Sequence, residues 1–198
     1  MRNSNKKFKV LIVYPNIPGM LVISTAVGLF TAILRKAGFE VDLFDATLYV
    51  SDVSFSPEKR VEYLQARKFS YEKDVGFKAK ANLIDDFVAR VDYFKPDLML
   101  FSVVEDAFLQ ALNMLDAVKD KNILTIVGGV FPTSAPEKTI SYPQIKIIGL
   151  GEGEKTILEA AQRLKEGCSF DGILNTWIKK DDGTIIKNVM RPLEDINK

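Results

Sequence analysis

In the second half of this chain, short apolar runs alternate with stretches of helical spacing, and each run stops at serine or glycine. The clearest are Pro96-Asp97-Leu98-Met99-Leu100-Phe101-Ser102-Val103-Val104, Leu124-Thr125-Ile126-Val127-Gly128-Gly129-Val130-Phe131-Pro132 and Ile147-Ile148-Gly149-Leu150-Gly151-Glu152-Gly153-Glu154. Unbroken apolar runs of this length predict strands covered on both faces, as in a parallel sheet with helices above and below. In such folds the residues just past the strand ends form the ligand crevice. Small residues there let a large flat ligand approach the backbone.

The same pattern extends through the first half. Residues 8–13 predict the first strand, and Tyr14-Pro15-Asn16-Ile17-Pro18-Gly19 predicts a loop, given its two prolines and its glycine. Residues 24–36 read as a helix with Ser24 or Thr25 as N-cap and Val27, Phe30, Ile33 and Leu34 on one face. Residues 40–45 alternate with period two, which predicts a strand nearer a sheet edge. Between residues 50 and 76 the pattern changes to mixed charged and aromatic residues. This reads as a helical insertion, either a packing element or a lid. Helices are predicted over 77–94, 105–119, 133–141 (from about Pro136) and 154–165, and further strands over 97–102, 123–127 and 145–148. Residues 175–179 and 184–187, joined by Lys180-Asp181-Asp182-Gly183, predict a hairpin. The fold class is α/β: a flavodoxin-like, doubly wound parallel sheet of order 2-1-3-4-5 with helices on both faces, the helical insertion after the second strand and a C-terminal hairpin.

Composition narrows the chemistry mainly by what is missing. The 198 residues suit one domain, and 47% are apolar. Twenty-seven basic against 26 acidic residues leave a net charge of +1, which gives no reason to expect nucleic acid or an anionic membrane as partner. No apolar run is long enough for a signal-peptide core or a membrane span. There is no histidine. That excludes a Ser-His-Asp triad and any histidine-ligated zinc, haem or cobalt within the chain. The single cysteine, Cys168, excludes an intrachain disulfide and a cysteine-ligated iron–sulfur cluster, and fits a cytoplasmic location.

The loops carry no familiar phosphate cradle: neither G-x-G-x-x-G nor G-x-x-x-x-G-K-[ST] follows the first strand. The run from Gly149 to Glu154 opens a helix, so it is either an anion site on the helix amides or a tight turn with helix-start carboxylates. Gly128-Gly129 either leaves room for a bulky planar group or serves a tight turn.

Taken in order, P-D-x-x-x-x-S, V-G-G-x-x-P-T, G-x-G-E-G-E, the D-G hairpin and Arg191-Pro192-Leu193-Glu194-Asp195-Ile196 resemble the N-terminal cobalamin-binding domain of class B radical S-adenosylmethionine enzymes. Gly28-Leu29, Leu34-Arg35-Lys36-Ala37-Gly38-Phe39-Glu40-Val41 and Asp45 add to the resemblance, which covers most of the chain outside the insertion. It implies that Ser102 and Val104, with Val103 between them, line the pocket for the dimethylbenzimidazole tail. Gly128 and Gly129, followed by Val130 and Phe131, would let that tail pass between sheet and helices. Gly149, Gly151, Glu152 and Gly153 would flank the tail or the corrin rim, and Asn16, Ile17, Pro18 and Gly19 would lie under or beside the corrin. The methionine-synthase pattern places a cobalt-ligating His after the first strand. This chain has none, which favours the radical-enzyme branch and base-off binding without a protein ligand.

The resemblance further implies that S-adenosylmethionine and a 4Fe–4S cluster belong to a C-terminal radical domain of the same polypeptide, with residues 1–188 as the cobalamin-binding-like domain and 189–198 as the start of the linker. On this reading the chain is an excised or truncated domain with no activity of its own, and Cys168 is inert. The alternative is a degenerate domain of the same fold that has lost cobalamin and serves interaction or regulation. A flavin-binding domain fits less well, because the first loop lacks a Ser/Thr-rich cradle.

Overall fold

The computed structural model describes residues 7–17, 24–50, 57–67, 70–76 and 78–193. Five parallel strands form its centre: β1 (Lys9–Tyr14), β2 (Glu40–Asp45), β3 (Leu98–Ser102), β4 (Leu124–Gly128) and β5 (Ile147–Gly149). Their order is 2-1-3-4-5, with β2 at the edge, as its alternating pattern predicts. The hairpin is not an appendage. Its strands β6 (Thr176–Lys179) and β7 (Ile185–Lys187) continue the sheet antiparallel to β5 and complete seven strands. Ile178 pairs with Ile147 and is buried, so the hairpin finishes the core rather than hanging from it.

Strand alternation divides the core in two. Val13, Phe101, Val103, Val127 and Ile148 point to one face, where they meet α3 (Leu83–Phe94) and α4 (Phe108–Ala117). Ile12, Leu100, Ile126 and Ile147 point to the other, beneath α1 (Thr25–Lys36) and α7 (Glu154–Glu166). Each fully buried side chain of this size stabilises the fold by about 1.5–3 kcal/mol. Ser24 caps α1 as expected, its Oγ accepting from the Val27 amide at 3.4 Å.

Some boundaries move, for local reasons. The short helix expected within 133–141 from about Pro136 is α6 (Pro136–Ser141), and a separate short helix, α5 (Val130–Ser134), precedes it. Pro136 lacks an N–H and drives Ala135 out of the helical region, to φ −136 and ψ 60. The helix expected from residue 105 opens as a 3-10 turn, Glu105–Ala107, before α4. That expected from 77 begins only at Leu83. The insertion contains α2 (Pro57–Glu62) and one π-helical turn, Tyr71–Val75. Its base is closed where Val50 N donates to Lys80 O at 2.8 Å and Lys80 N to Leu48 O at 2.8 Å. Among the described residues no helix is long and apolar enough to cross a membrane.

Candidate functional site

Two residues beyond Leu100, Ile126 and Ile147, on the same face, the side chains disappear. Ser102 is in register with Gly128, and Gly128 and Gly149 each follow the last β4–β5 pair, Val127 with Ile148. Three adjacent strand ends therefore present a hydroxymethyl group and two hydrogens where the rest of that face carries Leu and Ile. Above this row lie Ala26 and Phe30 of α1, and beside it Glu154, Thr156 and Ile157 of α7. The result is an open cleft of about 170 Å³.

The glycines in the row differ in why they are glycine. A Cβ on Gly128 would meet nothing closer than Gly149 O at 3.6 Å, and one on Gly149 nothing closer than Ile126 Cγ2 at 3.5 Å. Neither needs a positive φ. What a side chain at either position would occupy is the cleft itself. Gly129 is another matter. Its φ is +111, and a Cβ there would fall 2.6 Å from both the N and the O of Val103. The chain folds back onto the β3 end at this point, with Val103 N donating to Gly128 O at 2.8 Å and Phe131 N to Val103 O at 3.2 Å. Of the two uses foreseen for the Gly128-Gly129 pair, the open space belongs to Gly128 and the tight turn to Gly129.

The loop after β5 is held by a residue that sequence reasoning missed. Asn175 is 2% exposed and sits at φ +63. Its Nδ2 donates to Glu152 O at 3.0 Å, its Oδ1 accepts from Arg191 N at 2.5 Å, and its carbonyl accepts from Leu150 N at 2.8 Å. It ties the cleft-flanking loop to the segment leaving the sheet. That segment is pinned again where the Arg191 guanidinium pairs with Glu159 on α7. Gly151 N donates to Thr133 Oγ1 at 3.0 Å, and Gly153 lies against the Phe30 ring, whose Cζ would be 2.6 Å from an added Cβ.

The start of the first loop is anchored by side-chain hydrogen bonds. Asn16 is 1% exposed; its Nδ2 donates to Thr47 Oγ1 at 2.9 Å, and its carbonyl accepts from Gln110 Nε2 at 2.9 Å. Thr47 donates in turn to Asp45 Oδ1 at 2.5 Å. At the end of β1, burial first and the Asp45 carboxylate second push the Tyr14 phenol above its ordinary pKa.

Of the residues singled out from sequence, the cleft gathers Ser102, Gly128, Gly129, Gly149, Gly151, Glu152 and Gly153. It does not gather the others. Asn16 and Ile17, in the first loop, are buried, while Pro18 and Gly19 lie outside the described residues. Val103 is buried on the opposite face, because neighbours on a strand point opposite ways. Phe131 packs at a tilt against Phe108 with ring centroids 4.6 Å apart, Val130 is largely exposed and Val104 is half-buried. Ala26, Phe30, Glu154 and Thr156 line the cleft without having been singled out for it. Among the described residues, no group of three or more His, Cys, Asp or Glu side chains is placed to hold a metal ion.

The family model described as the B12 binding domain matches residues 61–161, half of the chain. The chain belongs to the B12-binding domain family. The matched span includes Ser102, Gly128 and the loop from Gly149 to Glu154, and leaves out β1 and its loop. No curated protein matches the chain. Among solved structures it is similar to the radical S-adenosylmethionine methyltransferase TsrM from Kitasatospora setae, determined with cobalamin and a 4Fe–4S cluster bound. The TM-score is 0.71 at 17% identity, over 96% of this chain and 30% of that one. It is also similar to the cobalamin-dependent S-adenosylmethionine radical enzyme OxsB, determined with aqua-cobalamin and S-adenosylmethionine bound. There the TM-score is 0.62 at 18% identity, over 95% of this chain and 23% of that one. At these identities the likeness is one of fold, and this B12-binding chain spans less than a third of either protein.

Proposed function

We propose that this domain holds cobalamin base-off, with the nucleotide tail in the cleft beside Ser102, Gly128 and Gly149 and with no histidine on cobalt. The observation that carries this reading is the row itself. Gly128 and Gly149 are glycine without conformational need and without crowding, so they serve the space they leave. A cavity of about 150 Å³ takes a benzene ring. A cleft of about 170 Å³ with an open mouth suits a flat aromatic head somewhat larger than that. A degenerate domain with no ligand would gain stability by filling the row with apolar side chains, as the strands do two residues earlier.

When bound, the corrinoid supplies a cobalt centre able to carry alkyl groups and single electrons. The protein's part is positional. Ser102 offers a hydroxyl at the cleft floor, Ala26 and Phe30 shield the tail from water, and the Asn16–Thr47–Gln110 hydrogen bonds hold the first loop in place beside the ring. On this reading the module belongs to a cytoplasmic polypeptide whose C-terminal domain binds S-adenosylmethionine and a 4Fe–4S cluster. What supports a further domain is that the chain matches only 30% and 23% of the TsrM and OxsB chains, which were determined with a 4Fe–4S cluster and with S-adenosylmethionine respectively. That domain would carry out radical-based methyl transfer or rearrangement.

Gly128→Leu tests the site, because its Cβ has room and its longer side chain enters the cleft. Wild type is expected to retain hydroxocobalamin absorbance after desalting. The variant should keep its far-ultraviolet circular dichroism and lose affinity by about 100-fold or more. Equal retention by both proteins sinks the tail-cleft assignment. Electron paramagnetic resonance of the Co(II) form tests the ligation, since superhyperfine splitting from an axial nitrogen would contradict base-off binding.

A further inference from the structure

The cleft is walled mostly by apolar groups and backbone, yet one of its lining carboxylates has an oxygen with nothing to accept from. Glu154, the first residue of α7, lines the cleft, and its Oε2 is buried without a hydrogen-bond partner. Leaving a buried acceptor unpaired costs about 1–3 kcal/mol. The α7 dipole favours a negative charge at this end, but it supplies no hydrogen bond to that oxygen. An ionised carboxylate has acceptors only, so whatever satisfies it must donate. The neighbouring wall offers little help. Thr156 Oγ1 already donates to Leu174 O at 3.3 Å, and the Gly151 amide donates to Thr133.

We propose that Glu154 accepts a hydrogen bond from a donor on the nucleotide tail, and so makes this cleft select corrinoids that carry the tail over those that lack it. The proposal rests on the corrinoid reading of the cleft. Two kinds of donor share this chemistry: a ribose hydroxyl, present in every nucleotide-tailed corrinoid, and an amino group on a purine lower base. Dimethylbenzimidazole carries no amino group, so cobalamin presents the first kind alone.

The experiment titrates the full chain and its Glu154→Ala and Glu154→Gln variants with cobalamin, an adenine-tailed corrinoid and tail-less cobinamide, following visible absorbance. Wild type is expected to bind both tailed corrinoids more tightly than cobinamide. Glu154→Ala should lose about 10- to 100-fold for the tailed ligands, the range of a hydrogen bond to a charged group, and nothing for cobinamide. Glu154→Gln keeps the shape and one acceptor oxygen without the charge, so it should lose less, and it decides the matter if the alanine variant does not fold. Losses for both tailed ligands identify the ribose hydroxyl, and a loss confined to the adenine-tailed corrinoid identifies the amine. Unchanged affinity of the folded variants for every corrinoid overturns the role of Glu154 while leaving the cofactor reading intact. Equal wild-type affinity for cobalamin and cobinamide overturns it as well. A wild type that takes up no corrinoid overturns both.

Discussion

At their C-terminal ends the same strands treat the two faces of the sheet in opposite ways. Toward α3 and α4 they end in Phe101, Val103, Val127 and Leu150, all buried, and α4 answers with Phe108, Ala111, Leu112, Met114 and Leu115. Toward α1 they end in Ser102, Gly128 and Gly149, and Leu34, near the far end of α1, is the one buried residue of that helix. One face is filled and the other is left open at one end only. The difference shows a cleft formed by leaving side chains out of a core rather than by adding reactive ones. It also predicts where stability and ligand binding part company.

The sharpest way to break this comparison is to cut an aromatic ring from each face. Phe87 on α3 is fully buried and meets Phe44 and Phe101 edge-on at 5.1 and 6.2 Å. Phe87→Ala should cost about 3–5 kcal/mol in urea unfolding. Phe30 is only half-buried, over the cleft, and Phe30→Ala should cost no more than about 1.5 kcal/mol while weakening corrinoid retention. Equal costs would mean that the α1 face is packed as tightly as the other.

The adjacent glycines give a second contrast. Gly129→Ala forces a Cβ against the Val103 backbone at positive φ, and should destabilise by about 3 kcal/mol or leave the protein unfolded. Gly128→Ala meets only ordinary contacts and should shift stability by no more than about 1 kcal/mol. Unfolding midpoints of the pair check this directly. If the two substitutions cost the same, Gly128 is structural and the openness of the row loses its meaning.

The parallel strands were legible because burial on both faces writes unbroken apolar runs, and β2 because an edge strand alternates. The small residues ending those runs coincide with the open cleft past the strand ends. What stayed hidden was set by closure in three dimensions. Val103 and Phe131 adjoin cleft residues along the chain yet turn to the filled face, a distinction that strand alternation carries for Val103 but that a linear motif does not. Phe30 was visible as one residue of an apolar helix face, with nothing to say that its end of the helix overhangs a gap. Asn175 leaves only the faint trace of an asparagine before a strand, a residue tolerant of positive φ, and its three-way tie exists only once β5, β6 and the departing segment come together.

The smallest expected effect lies at the rim of the filled face, where packing passes into a polar contact. Tyr49 is 5% exposed, stacks on Phe44 at 5.7 Å, and donates its phenol to Asp86 Oδ2 at 2.8 Å. Burial foremost, and the Asp86 carboxylate after it, raise its pKa from 10.0 to about 12, against a lowering pull from Arg90. Below pH 10 the phenol is protonated both folded and unfolded, and the contribution to stability is fully present. As pH rises toward 12 the unfolded chain releases its proton first, and that contribution is lost. Tyr49→Phe keeps the ring in the core and leaves Asp86 to water, so it should cost about 1 kcal/mol near neutral pH. It should also remove the phenol's share of the alkaline decline, so that wild type and variant converge above pH 10. Unfolding midpoints at neutral pH and between pH 10 and 12 measure the gap. A gap that stays constant across that range would mean that the phenol is not held protonated by its burial, and that the filled face is wetter at this rim than its packing implies.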